Sequence, residues 1–231
     1  MIDHCKRSCL LLLFIFPTLV WAQTDNDPTG GWYTYNFDYA HKETPWGING
    51  EVQYTGYEVT GDLNWFLVRA GVTYSLKDSG VRFALGYGHA TFGVIGDDES
   101  KVTENRIYQE IKMPSSILGL KLTHRFRYEQ RFFNGFFRSR IRYGLFMNIP
   151  LNKKQIEDKT VYLALYNEFF LNGERRLKNG SEVASFFDQN RVYGALGYAF
   201  TKDFKIQAGA MRLIRATDDR MTIQVSLHHK F

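Results

Sequence analysis

The sequence predicts an all-β protein: a single antiparallel transmembrane β-barrel of roughly 10 to 12 strands preceded by a cleaved signal peptide. Three observations lead there. From Gly31 to Phe231 the dominant hydrophobic period is two, repeated in segments of about ten residues, the length of a tilted membrane-spanning strand. Nearly every segment has one continuously apolar face, whereas the other face carries charge near mid-strand. The N-terminal residues read as an export signal.

That signal is residues 1–22. Lys6 and Arg7 precede an apolar run from Leu10 to Val20, and Ala22 supplies the small residue at the end. The apolar core is too short to span a bilayer, so cleavage before Gln23 is the reading, with one barrel domain over 23–231. Cys5 and Cys9 both fall inside the signal, which leaves the mature chain without a disulfide framework. Cys9 precedes the apolar core, the wrong side for a lipid-modified cleavage site.

The strands follow in order. In "WYTYNFDYA", Tyr33, Tyr35, Phe37 and Tyr39 share a face opposite Thr34, Asn36, Asp38 and Ala40. "INGEVQYT" sets Ile48, Val52 and Tyr54 against Glu51 and Gln53, and "FLVRAGVTYSL" sets Phe66, Val68, Val72 and Tyr74 against Arg69, Gly71 and Thr73. "VRFALGYG" opposes Phe83, Leu85 and Tyr87 to Arg82, Ala84, Gly86 and Gly88. In "ENRIYQEIKM" the polar face is Glu104, Arg106, Glu110 and Lys112, with Tyr108 among them. "HRFRYEQRFFNGFFRSRIRYGL" is two strands and a turn: Arg125, Arg127, Glu129 and Arg131 share one inward face, and Arg138, Arg140 and Arg142 share the next. "VYLALYNEFFL" around Glu168, "QNRVYGALGYAF" around Arg191, "FKIQAGAM" and "MTIQVSLHHKF" complete eleven candidates.

A soluble sandwich also alternates, but it buries its apolar faces between two sheets and scatters polar residues outside. Charge at mid-strand opposite a continuous apolar face fits a closed barrel in lipid better. Closure pairs every backbone group, and the charges turn into the lumen. Short links at 76–80 and 201–203 alternate with longer polar ones at 94–103 and 173–186, the arrangement of outer-membrane barrels whose long loops face outward. Bacterial single-chain barrels have even strand numbers. Ten or twelve strands are therefore expected, with an irregular N-terminal strand or an extra strand near "SSILGLKL" restoring parity.

The ordered segments "ENRIYQEI", "THRFRYEQRF", "RSRIRYGLFMNIPL", "YLALYNEFFLN" and "FDQNRVYGALGYAF" resemble domain of unknown function family 2490, a group of predicted outer-membrane barrels of Gram-negative bacteria. The resemblance covers nearly all of residues 23–231. It implies architecture and location, and supplies no substrate and no catalytic residue.

The inward arginines repel one another unless acids answer them, and Glu104, Glu110, Glu129 and Glu168 are the expected partners in bidentate pairs. Two readings follow: a structural ion-pair network that fills a narrow lumen, or a basic lining that passes or binds small anionic solutes. An outer-membrane structural or interaction protein, with its loops at 94–103 and 173–186 meeting a partner, is the competing class. The formal charge is +5 and the pI about 9.1, but export is the wrong compartment for nucleic acid. Strict alternation also puts rings and arginines on opposite faces, where an RNA-binding sheet needs them together.

No H-E-x-x-H or G-x-S-x-G occurs, and His228 and His229 point to opposite faces of one strand, a poor chelating pair. "GYGHATFG" lacks the strand-loop-helix setting of a phosphate loop, so its glycines are read as packing sites. A lipid-modifying site in which His89 acts with a Ser or Asp from a loop is the minor alternative. Asn179 begins a glycosylation sequon that reads more simply as a polar turn. No enzyme, no metal and no cofactor are expected. The expected partners are outer-membrane lipids and lipopolysaccharide, a small anion, and the barrel-assembly machinery, which would read the terminal Phe231.

Overall fold

A computed structural model describes residues 29–94, 96, 100–117, 119–174 and 185–231. The signal at 1–22, the sequon at Asn179 and parts of both long loops lie outside the described residues. The strands among the described residues are β1 (Gly30–Ala40), β2 (Trp46–Gly56), β3 (Leu63–Ser75), β4 (Arg82–Phe92), β5 (Val102–Ile117), β6 (Leu120–Phe133), β7 (Phe136–Pro150), β8 (Thr160–Asn172), β9 (Phe187–Ala199), β10 (Phe204–Arg215) and β11 (Asp219–Lys230). Each pairs with its neighbours in sequence, and β1 pairs with β11 to close the barrel.

The eleven candidate segments are the eleven strands, and the even count is overturned. An odd number of strands alternating up and down leaves the first and last pointing the same way. Closure therefore requires one parallel seam, which β1 and β11 form from Gly30 opposite Thr222 to Asp38 opposite Lys230. The Phe231 N–H extends that seam by donating to the Asp38 carbonyl at 2.9 Å. "SSILGLKL" is no extra strand: it is the hairpin that joins β5 to β6, with Ile117 opposite Leu120.

Connections 41–45, 76–81, 118–119, 151–159 and 200–203 gather at one end of the barrel, here the turn end. Those at 57–62, 93–101, 134–135, 173–186 and 216–218 gather at the other, the loop end. Both expected long loops share the loop end, although β5 begins at Val102 and takes in the last two residues of the first. The division by length is incomplete, since a long connection (151–159) sits at the turn end and the Asn134-Gly135 turn at the loop end. Gly135 has φ +88°, a conformation that a side chain would strain, and so permits this tight reversal.

Alternation sorts the side chains as the pattern requires. Leu85, Val72, Ile141, Phe126 and Leu196 stand exposed on the outward face, while Glu104, Arg106 and Glu129 are buried inside. The interior has two unlike halves. On β8 to β10 and β1 it is filled by Trp32, Tyr162, Tyr193, Met211, Leu213 and three alanines, with Ile156 of the 151–159 connection packed against them. The half built on β5 to β8 is filled by ion pairs.

Glycines make room for the large inward rings. Tyr162 is fully buried and lies across Gly197, its register partner, where an added methyl would overlap the ring. Gly197→Ala is expected to destabilise by about 1–3 kcal/mol through overpacking. Urea unfolding of the detergent-folded barrel measures this. If the clash is the cause, Gly197→Ala with Tyr162→Leu loses less than the two single losses added together.

Candidate functional site

Adjacent inward strands place the charged residues in register. Tyr108 stands opposite Glu129, Glu110 opposite Arg127, Glu129 opposite Arg140, and Glu168 opposite Arg191. A one-residue slip would turn each charge outward, so the alternation of every strand defends this register.

Glu129 is the hub. It is fully buried: Arg140 Nε donates to its Oε2 at 2.8 Å, Arg142 Nη1 donates to its Oε1 at 2.7 Å, and Arg106 and Arg127 stand 3.7 Å from Oε1. Around it, Arg106 Nε donates to Glu104 at 2.7 Å, and Arg131 grips Glu104 with two bonds of 3.0 and 2.7 Å. Arg142 grips Glu168 the same way, at 3.0 and 2.9 Å, while Arg125 reaches Glu168 at 2.7 Å. Glu110 binds Arg127 through two bonds and Lys112 at 3.3 Å.

Two-toothed guanidinium–carboxylate pairs are the strong kind, and rings deepen them. Phe170, fully buried, lies beneath three guanidinium carbons, those of Arg142 at 4.3 Å, Arg191 at 4.5 Å and Arg140 at 5.0 Å.

All four acids proposed from sequence are thus brought to the arginines proposed for them. Two arginines are not so answered. Arg138 has no ion pair among the described residues and packs on Phe136 at 5.7 Å. Arg191, although opposite Glu168, also has no carboxylate within 4.0 Å among the described residues. Sequence reasoning missed the Arg69–Glu51 pair, the Arg140–Asp188 contact at 3.1 Å and the rings of Trp32, Trp65 and Phe170. Glu51 and Arg69 each carried the signal of an inward face, but only the β2–β3 register makes them neighbours.

The network forms a septum on the β5 to β8 side of the lumen. Glu104, Arg106, Glu129 and Phe170 have no exposed surface. On the turn side the lumen opens into a vestibule of about 450 Å³, in which Trp32, Trp65, Arg106 and Arg191 lie at the level nearest the septum and Lys112, Lys205, His228 and Lys230 lie toward the turn end.

The family model described as protein of unknown function, DUF2490, matches residues 29–223. The chain belongs to this family. The DUF2490 region runs from the start of β1 into β11, so it contains the septum and most of the vestibule lining, whereas His228 and Lys230 lie beyond it. No curated protein and no solved structure matches the chain.

Outside the lumen this DUF2490 barrel carries two polar clusters. His89 Nδ1 meets Asn105 Oδ1 at 2.8 Å, and Tyr87 donates to the same oxygen at 2.6 Å. No Ser or Asp among the described residues is hydrogen-bonded to His89, whose partner there is its cross-strand neighbour Asn105; Asp97 and Asp98 of the adjoining loop lie outside the described residues. His124 links three strands, through Ser115 Oγ at 2.8 Å and the Tyr143 hydroxyl at 2.9 Å. Among the described residues no cluster of three metal-ligating side chains occurs. His228 faces the lumen beside Ser226, whereas His229 meets the Tyr35 hydroxyl.

Proposed function

We propose that the protein is an integral outer-membrane barrel that binds a small solute in a one-ended vestibule and does not conduct. The observation that carries this is the burial at the inner end of the cavity: Glu104, Arg106, Glu129 and Phe170 have no exposure beneath an open, basic vestibule. A conducting pore needs a continuous wet path with sites that ions enter and leave, and fully buried, paired side chains at the inner end of the cavity argue against one.

Membrane residence is supported by the outward face, where Leu85 is 59% exposed and Leu196 62%, among many exposed aromatic and aliphatic side chains of the kind that mark a membrane or partner surface. The strands are 11 to 16 residues long, enough to cross a bilayer at a tilt. Outer-membrane lipid and lipopolysaccharide would cover this face, and the exposed Phe231 ring suits recognition by the assembly machinery during insertion.

Purified barrel added to planar bilayers is expected to give no stepwise conductance. Opening the septum with Phe170→Ala and Arg142→Ala together is expected to produce channels that favour anions, because the remaining arginines outnumber the acids. Steady conductance by the unaltered protein would overturn the closed reading.

A further inference from the structure

We infer that Arg191 is the anchor of a binding site for a small organic carboxylate with a ring-shaped apolar body. This inference rests on the closed-vestibule reading and names the ligand class of that cavity.

Arg191 is 6% exposed and lines the vestibule at its inner level. The acid opposite it, Glu168, is already occupied: its two oxygens accept three bonds from Arg125 and Arg142. Among the described residues the acceptor left to Arg191 is the side-chain amide oxygen of Gln189, which in its hydrogen-bonding orientation takes Nε at 3.2 Å and Nη2 at 2.8 Å. A neutral amide satisfies two N–H groups but not a charge. Burying a guanidinium without a counter-charge is costly, and a bound anion offsets that cost.

Neighbouring donors point the same way. Both terminal nitrogens of Arg106 and the indole nitrogen of Trp65 are buried without an acceptor, and both side chains line the cavity. Trp65 lies 5.5 Å from the Arg106 guanidinium and 6.0 Å from that of Arg191. These N–H groups at the inner level have no hydrogen-bond acceptor, and the lining carboxylate Glu168 is already taken by Arg125 and Arg142.

The walls specify the rest of the ligand. Trp32 stacks on Arg191 at 4.6 Å and thereby presents its guanidinium as a planar fork, the geometry that suits a carboxylate. Tyr166 and Tyr193 stack on each other at 4.7 Å and face the same cavity, which gives an apolar ring a surface to lie on. The cavity volume of about 450 Å³ falls within the ordinary range for small-ligand sites. Lys112, Lys205 and Lys230 toward the turn end would raise the local concentration of anions.

The test uses the full-length barrel folded in detergent, with benzoate, the neutral isostere benzamide and inorganic phosphate as probes, read by tryptophan fluorescence and calorimetry. Benzoate is expected to bind saturably and to change the tryptophan emission, benzamide to bind more weakly, and phosphate, lacking a ring, to bind more weakly too. Arg191→Gln should weaken benzoate by about tenfold to a hundredfold, the loss of charge-assisted bonds to one carboxylate. Arg138→Gln, on the other side of the septum, should leave it unchanged.

Should Arg191→Gln fail to fold, Arg191→Lys keeps the charge, loses the fork, and should still weaken benzoate. Equal binding of benzoate and benzamide, equal affinity in the Arg191 and Arg138 variants, or no saturable benzoate signal in a barrel that remains non-conducting overturns the site alone. A barrel that conducts overturns the closed reading beneath it.

Discussion

Glu129→Gln is expected to destabilise the folded barrel by about 3–5 kcal/mol, the cost of leaving a buried charge without its partner. Glu129 has no exposure and answers four arginines. Three of them keep a second acid: Arg106 retains Glu104, Arg127 retains Glu110, and Arg142 retains Glu168. Arg140 falls back on Asp188 alone, at 3.1 Å and with a carboxylate that is itself partly exposed. The loss should therefore be concentrated on Arg140. Adding Arg140→Gln to Glu129→Gln should cost less than the sum of the two single changes, because the orphaned charge is removed with its partner.

Urea unfolding in lipid vesicles provides the measurement, and Asp38→Asn provides the contrast. Asp38 pairs with Arg82 at 2.7 Å, but both are 20% or more exposed, and screened pairs of that kind contribute about 0–1 kcal/mol. If Glu129→Gln costs no more than Asp38→Asn, the septum is not held by its ion pairs.

Leu85→Arg is expected to cost about 2–4 kcal/mol in a bilayer, the penalty for a cation near the lipid midplane. Leu85 is 59% exposed on the outward face of β4, beside Val72 of β3 and Gln109 of β5 in the register. On a water-facing surface the same change would fall within about ±0.5 kcal/mol, since it creates no cavity and breaks no contact network. The two environments predict costs several-fold apart for one substitution. A small effect, measured with protein folded into vesicles, would remove the membrane from the account.

The fold was largely legible because strand alternation is a local property. Tyr33, Tyr35 and Phe37 against Thr34, Asn36 and Asp38 declare two faces without reference to any other segment, and the same holds for each of the eleven strands. The inward row of arginines and the four acids that answer it were legible for the same reason. The even strand count failed because it was a rule about a class of proteins, applied to a chain whose own periodicity already counted eleven.

What lay beyond the sequence is whatever depends on how strands slide past one another. Arg191 shows the limit most clearly. Register sets it opposite Glu168, and a pairwise reading would join them. Arg125, from β6, reaches across β7 to take that carboxylate with Arg142, and Arg191 is left between Trp32 and Phe170. The sequence by itself determined the strands, their faces and the basic character of the interior, because a period of two is written into consecutive residues. Only the tertiary structure decided the parallel seam, the partner of each arginine and the cavity left beneath them. These follow from closure and register, which link residues far apart in the chain through distances that no local pattern encodes.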